Sequence, residues 1–320
     1  MLVDINIVTY NNASTIQACL DAALGQTIPC TVQVYDNASE DDTVALVKAC
    51  GVRIFEGTFN AGYASSHNYL LDQTNGKYVL TLNPDLVLEP DFCEQMVAVL
   101  DDTPGVGLAA GCLLRVDDLD ETSALIDSAG VYMRRNRRQG LRHEFANPAS
   151  IPKQNVDIFG PDGAAAFYRR EMLVDIAYKG LAFDNDYFMH KEDIDVCWRA
   201  QLRGWKALFI PAAVGRHIRT FRPGLNVRKR ASRRLRWIAV RNRYLLIMKN
   251  DTPRGFWEAL PHLLRYDVLV LGYIVLREPS SLWAFVSLTW QFPRTMQKRR
   301  HIQQGKRVQW ADIRGYFDVI

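Results

Sequence analysis

The 320-residue chain carries no Cys-x-x-Cys pair; Cys19, Cys30, Cys50, Cys93, Cys112 and Cys197 are scattered along it. That spacing excludes the common zinc-ribbon and disulfide-scaffold patterns and suits a reducing compartment. No run reaches ~20 uninterrupted apolar residues, so a membrane-spanning helix is not expected. Met1-Leu2-Val3-Asp4 leads straight into a strand-like segment without a signal-peptide pattern, which predicts a cytoplasmic protein. Internal repeats and low-complexity tracts are absent. Basic side chains are nearly missing from the first hundred residues, where Lys48, Arg53 and Lys77 stand against twelve acidic ones. An acidic half of this size argues against a nucleic-acid-binding protein.

What is present is apolar content, 48% of residues against 23% charged, enough for a large core or two smaller ones. The positive charge comes late. From Arg222 to Arg254, including Arg228, Arg234, Arg241 and Arg243, the basic residues face only Asp251. Lys298-Arg299-Arg300 and Lys306-Arg307 follow. Such a C-terminal third is built to meet something anionic, lipid headgroups or nucleic acid.

Strand and helix patterns alternate through the first half. "VDINIVTY", "CTVQVYD", "VRIFEG" and "KYVLTLN" read as strands, with helices at "ASTIQACLDAAL", "SEDDTVALVKAC" and "ASSHNYLLDQT". Ser39 and Asp42 have the spacing of a capping box. The alternation predicts an α/β fold, a mostly parallel sheet with helices on both faces, which binds ligands beyond the strands' carboxyl ends. Thr9, Asn11, Asp36 and Asn83-Pro84-Asp85 fall at those ends. Residues 113 to 157 are polar and irregular, a loop or small hairpin insertion. In "FDNDYFMHKEDIDVCWRAQLRGW", Ile194, Cys197, Trp198 and Leu202 share one helical face, and Gly204 ends the helix. After Pro223, basic and apolar helical stretches carry Trp257, Trp283 and Trp290. They suit helices in a membrane interface, or a helical domain packed on itself.

Three constellations carry chemistry. Asp85 is a strand-end carboxylate beside other polar strand ends, and Mg²⁺ favours one or two carboxylates plus phosphate oxygens. Glu192 and Asp193 open a helix, where the dipole alone favours acids. Yet Asp184, Asp186, Glu192, Asp193 and Asp195 crowd among aromatics, a setting that poises general bases. His217 follows an apolar strand; it is a structural histidine or a second metal ligand.

The stretches "IVTYNNASTIQACLDAALGQT", "VQVYDNASEDDT", "NAGYASSHNYLL", "YVLTLNPDLVLEPDF", "GAAAFYRREM" and the segment ending "RAQLRGW" occur in the order found in one family. Over residues 3 to about 220 the chain resembles family-2 glycosyltransferases of the GT-A fold, near the bacterial rhamnosyltransferases of cell-surface polysaccharide synthesis. The resemblance implies that Thr9 and Asn11 line the nucleotide pocket. Asp36 would accept a hydrogen bond from a pyrimidine, with Ser39 close by. Asn60, Gly62 and Asn68 would shape the nucleotide-sugar pocket. Asn83-Pro84-Asp85 stands where the family has a metal-binding Asp-x-Asp, so Asn83 is a neutral member and Asp85 the remaining ligand. His217 would help hold Mg²⁺ or Mn²⁺. Asp193 of the Glu192-Asp193 pair would be the catalytic base.

The implied function is metal-dependent, inverting hexosyl transfer: L-rhamnose from dTDP-rhamnose to a hydroxyl of a lipid-linked saccharide. UDP-galactofuranose and UDP-hexosamine are alternative donors, since such transferases share the strand-end motifs. The implied layout is a catalytic domain over 1–222, with a nucleotide-sugar half to about 112 and an acceptor half after it. A basic, amphipathic helical region over 223–320 would place the protein on the anionic inner face of the cell membrane, or form a subunit interface.

Overall fold

The computed structural model describes residues 2–116, 125–218 and 232–317. Strands β1 (Val3–Thr9), β2 (Cys30–Asp36), β3 (Arg53–Glu56) and β4 (Tyr78–Leu82) alternate with helices α1 (Ile16–Leu24), α2 (Thr43–Ala49) and α3 (Tyr63–Leu71). They form a parallel block in the order β4-β1-β2-β3. All of β4 and nearly all of β1 is buried, as expected of central strands covered on both faces. Thr9 pairs with Asp36 across β1 and β2, and Ile7 pairs with Leu82 across β1 and β4. Three strands therefore stop at one edge.

Beyond this block the sheet is mixed. β5 (Leu86–Leu88) and α4 (Phe92–Asp102) lead to β6 (Val106–Val116). β6 lies between an antiparallel β11 (Ala165–Arg169) and a parallel β12 (Lys206–Ile218). β11 joins this half to β4. The segment expected to be a loop or hairpin holds β7 (Leu125–Ser128) against β6, the hairpin β8 (Val131–Met133) and β9 (Gln139–Leu141), and β10 (Val156–Ile158) against β12. His217 pairs with Leu86 where β12 runs antiparallel to β5. That register carries His217 back to the strand-end edge.

Alternate residues of β4 enter different core clusters, Val79 one and Leu80 the other, so the clusters lie on opposite faces of the sheet. One contains Leu20 of α1 and Met96 of α4. The other contains Met172 of α5 (Arg170–Ile176) and Cys197 and Trp198 of α6 (Glu192–Leu202). Gly204, at φ 86°, ends α6 as its position predicts.

Among the described residues four more α-helices follow: α7 (Arg233–Asn250), α8 (Pro253–Arg277), α9 (Trp283–Gln304) and α10 (Trp310–Ile313). Leu245, Leu246, Ile302, Trp310, Ile313 and Phe317 belong to the same core cluster as Trp198. The expected boundary at 222 falls outside the described residues, as do Arg222, Arg228, Lys229 and Arg230.

Two sequence expectations are corrected. Ser39 and Asp42 do not form a capping box on α2, which starts at Thr43; the Ser39 oxygen accepts from the Asn11 N–H and its hydroxyl donates to Asp36 instead. The basic stretch of α7 is not one solvent-facing cluster. Arg241, Arg243 and Lys249 are buried, with Arg243 3.0 Å from Asp267 and Lys249 3.0 Å from Asp195. In the β8–β9 turn Arg137 is buried too, 2.8 Å from Asp251, with its guanidinium 4.6 Å from the centre of the Phe317 ring. Helix α8 is long and apolar enough to cross a membrane and only 17% of its apolar window is buried. Arg265 and Asp267 interrupt its apolar run, as the sequence shows, without lowering the mean hydropathy enough to exclude it by composition.

Candidate active site

At the edge where β1 and β2 end, Asp36 organises both loops. Its carboxylate accepts from the Thr9 hydroxyl (2.9 Å), the Ser39 hydroxyl (2.5 Å) and the Ser39 backbone N–H (2.8 Å). Asn11, at φ 56°, donates its N–H to Ser39 Oγ (2.9 Å) and accepts from the Glu40 N–H (2.8 Å). Thr9, Asn11, Asp36 and Ser39 are thus brought together as the sequence predicts. Three of the roughly four lone-pair positions of Asp36 are already occupied.

The next three predicted residues brace the site from α3 and the loop that leads into it. Asn60 Oδ1 accepts from the Gly62 N–H at 3.0 Å. Gly62 has φ 82°, and a Cβ on it would meet the Phe188 carbonyl oxygen at 2.4 Å, so only glycine fits. The Asn68 amide donates to Phe183 O (2.7 Å) and Asn185 Oδ1 (2.8 Å), and accepts from the Phe183 N–H (3.0 Å). Its polar atoms are spent on holding the approach to α6.

Where β4 stops, the Asn83 N–H donates to Ala164 O at 2.8 Å and Asp85 O accepts from the Ile218 N–H at 2.9 Å. His217 Nε2 lies 3.3 Å from Asp85 Oδ1, and Nδ1 lies 2.9 Å from Asp127 Oδ2. A neutral imidazole holding its proton at Nδ1 toward Asp127 turns the Nε2 lone pair to Asp85. Asp85 Oδ1 is itself buried and accepts no hydrogen bond within the protein. Two facing acceptors fit a cation between them. Among the described residues no group of three His, Cys, Asp or Glu forms a fuller metal cluster. Asp127, within the stretch the sequence left irregular, was not predicted; carboxylate-to-histidine support of this kind orients metal ligands.

Glu192 and Asp193 begin α6, and the backbone before them is unusual. Phe188 (φ 64°), His190 (φ 70°) and Lys191 (φ 76°) all have positive φ. Asp193 accepts from the Gly163 N–H (2.9 Å) and the Ile194 N–H (2.8 Å). Burial pushes its carboxyl up, and these two donors oppose the rise. Glu192 is pushed up to about 8, first by burial and then by Asp193, and its Oε2 has no hydrogen-bond partner in the protein. Two backbone donors favour the charged form of Asp193, while Glu192 leaves its Oε2 unpartnered and is pushed up further, which favours Glu192 as the protonated member. Asp193 is left as the ionised member, the state a base requires.

The other acids of the crowd have different work. Asp184 meets Lys249 and Lys298, Asp186 meets Arg294 (2.8 Å) and Lys298 (2.6 Å), and Asp195 meets Arg199 (2.8 Å) and Lys249. They tie α7 and α9 to the approach of α6, and the cations hold Asp195 below its ordinary range despite burial. A cavity of about 590 Å³ lies beside them, lined by Asp184, Asp186, Lys249, Trp290, Arg294 and Lys298. None of the strand-end residues lines it.

A mixed α/β sheet with polar strand ends and an acidic helix start beside them is the arrangement of the GT-A glycosyltransferases. Two solved structures of this architecture match most of the chain. S. aureus TarS in complex with UDP-GlcNAc is 15% identical, covering 97% of this chain and 93% of that one at a TM-score of 0.56. A Pyrobaculum calidifontis mannosyltransferase in complex with GDP-Man and Mn²⁺ is 20% identical, covering 90% and 74% at a TM-score of 0.52. The chain belongs to glycosyl transferase family 2, whose family model matches residues 4–176. It is also 25% identical over 302 residues to a Mycobacterium tuberculosis protein, N-acetylglucosaminyl-diphospho-decaprenol L-rhamnosyltransferase, across 86% of this chain and 92% of that one.

Proposed function

We propose that this glycosyltransferase moves L-rhamnose from dTDP-rhamnose to a hydroxyl of a lipid-linked saccharide, with inversion at the anomeric carbon. The observation that carries the reading is the near full-length similarity to the mycobacterial rhamnosyltransferase. Asp193 takes the proton from the acceptor hydroxyl, whose oxygen attacks the anomeric carbon as the nucleoside diphosphate leaves from the opposite face. Protonated Glu192 keeps a second negative charge away from that hydroxyl. Asp85 and His217 would hold Mg²⁺ or Mn²⁺, and Asn83 adds no charge of its own, so the donor's diphosphate completes the ligand set. When bound, the cation offsets the charge that develops on the departing diphosphate.

A UDP-hexosamine donor is the second reading, favoured by the UDP-GlcNAc complex of the structurally similar TarS. Incubating the protein with dTDP-rhamnose, UDP-GlcNAc and UDP-galactofuranose, with and without a polyprenyl-diphosphate-linked saccharide, separates them. Turnover of dTDP-rhamnose alone supports the first reading; exclusive use of a UDP-sugar overturns it.

The working place we propose is the cytoplasmic face of the cell membrane, peripherally bound. Leu276 (79% exposed) on α8 and Trp290 (84% exposed) on α9 present apolar side chains with no covering partner among the described residues. The middle of α8 is held to the protein through Asp267 and Arg243. That favours a helix lying on the bilayer over one crossing it. Arg233 and Arg234 at the start of α7 are exposed and supply attraction to anionic lipid.

A further inference from the structure

We infer that Asn242 of α7 is a positioning residue for the Glu192–Asp193 pair, acting through the backbone of residues 187–190. The inference rests on the glycosyl-transfer reading above. Asn242 is fully buried, and its amide nitrogen lies 2.9 Å from Tyr187 O, 2.9 Å from Met189 O and 2.8 Å from His190 O. One side chain thus gathers three carbonyls, those of Tyr187, Met189 and His190, of the turn that ends at the catalytic pair. Its own oxygen accepts from Arg241 Nε (3.1 Å) and Nη2 (2.9 Å), which fixes the amide's orientation. Arg241 Nη2 also donates to Asp186 O at 2.7 Å.

These carbonyls need such a partner because of the backbone they belong to. Phe188, His190 and Lys191 all have positive φ, where non-glycine residues persist only when their surroundings over-determine them. On the far side the turn is pressed by Gly62, and the Ala64 N–H donates to Phe188 O. Lys191 then caps α6 without any side-chain hydrogen bond. The direction in which Glu192 and Asp193 leave the turn is set by the clamp between α7 and α3. Remove the Asn242 donor and the three carbonyls lose their buried partner. The turn then relaxes toward ordinary dihedrals, and Asp193 moves off the Gly163 N–H.

Asn242→Asp keeps the side chain's shape and replaces the donor with an acceptor; Asn242→Ala removes it. In the full-length protein we expect kcat to fall about 10²-fold, the scale of a base displaced by an ångström, while the Kd for the donor's nucleoside diphosphate stays within about threefold. Hydrogen exchange should accelerate across residues 187–194 and stay unchanged in β1 and β2. Unchanged kcat in a folded variant overturns the inference, as does equal loss of kcat and nucleotide affinity. If neither variant folds, Asn242 is a residue of the core and the inference is likewise overturned. If the wild type transfers no sugar, the glycosyl-transfer reading is what has failed. The exchange pattern then still decides whether Asn242 holds the turn.

Discussion

Asp127 and His217 are 90 residues apart in the chain and 2.9 Å apart in space, carboxylate Oδ2 to ring Nδ1. The contact orients the imidazole so that its other nitrogen meets Asp85 at 3.3 Å. On the proposed metal-dependent reading, it sets a second ligand against the lone strand-end aspartate.

That geometry predicts a graded series. Asp85→Ala should abolish divalent-cation-dependent binding of the nucleoside diphosphate, and His217→Ala should weaken it less. Asp127→Asn should lower cation affinity about 10–100-fold, the usual consequence of losing a ligand's supporting partner. Calorimetry with and without Mn²⁺ measures all three. Nucleotide binding by the wild type that is indifferent to the cation would remove Asp85 and His217 from this role.

Asp193→Asn should lower turnover at least ~10²-fold, since an amide cannot take the acceptor's proton. An amide offers one oxygen where the carboxylate offers two, so one of the two bonds from Gly163 and Ile194 is lost. The cost to stability should be about 1 kcal/mol, with nucleotide affinity unchanged. Steady-state rates beside a thermal melt separate the two effects. A variant that turns over at the wild-type rate would shift the base role to Glu192.

Glu192→Gln tests the electrostatics of the pair. Its folded pKa of about 8 stands above the ordinary 4.5, so the stability it contributes is fully present below pH ~4.5 and lost as pH rises through about 8. Lys191, lowered to about 8 first by burial, changes stability mainly above that pH, and the buried His67 and His190, both lowered by burial, contribute in wild type and variant alike, so the comparison isolates Glu192. Between pH 5 and 7.5 the wild-type Tm should therefore fall more steeply than that of the variant, and the variant should be the more stable protein at pH 8. Parallel curves would show that Glu192 is already ionised at neutral pH.

Lys249→Met should destabilise by about 3–5 kcal/mol, because Asp184 and Asp195 lose a buried cationic partner they share. Chemical denaturation measures it. A loss below about 1 kcal/mol would mean that Lys298 and Arg199 suffice for those carboxylates.

The membrane surface is tested without truncation, since cutting after Asp251 would strip Ile302, Trp310, Ile313 and Phe317 from the main core. Replacing Trp257, Leu276 and Trp290 by serine removes exposed side chains only. Flotation with anionic liposomes should fall at both low and high salt while the Tm is kept. Wild-type protein that stays soluble at low salt would make this face a subunit interface.

The sequence by itself determined the parallel half of the sheet, because apolar periods and polar strand ends are local signals that survive without their neighbours. It also determined which residues sit at those ends, Thr9, Asp36 and Asp85, and that Glu192 and Asp193 open a helix. Only the tertiary structure decided what these groups meet. Asp127 reaches His217 through the pairing of β7 with β6 and of β12 with β5 and β6, and such register has no trace in local composition. The same holds for charge. Asp184, Asp186 and Asp195 looked like candidate bases, and Arg241, Arg243 and Lys249 belonged to a basic run read as meeting something anionic, lipid headgroups or nucleic acid. Folding pairs the acids with Lys249, Lys298, Arg294 and Arg199, and turns Arg241 and Arg243 to backbone carbonyls and Asp267. A charge in a linear sequence has a sign but no partner, and in a low-dielectric interior the partner decides its role.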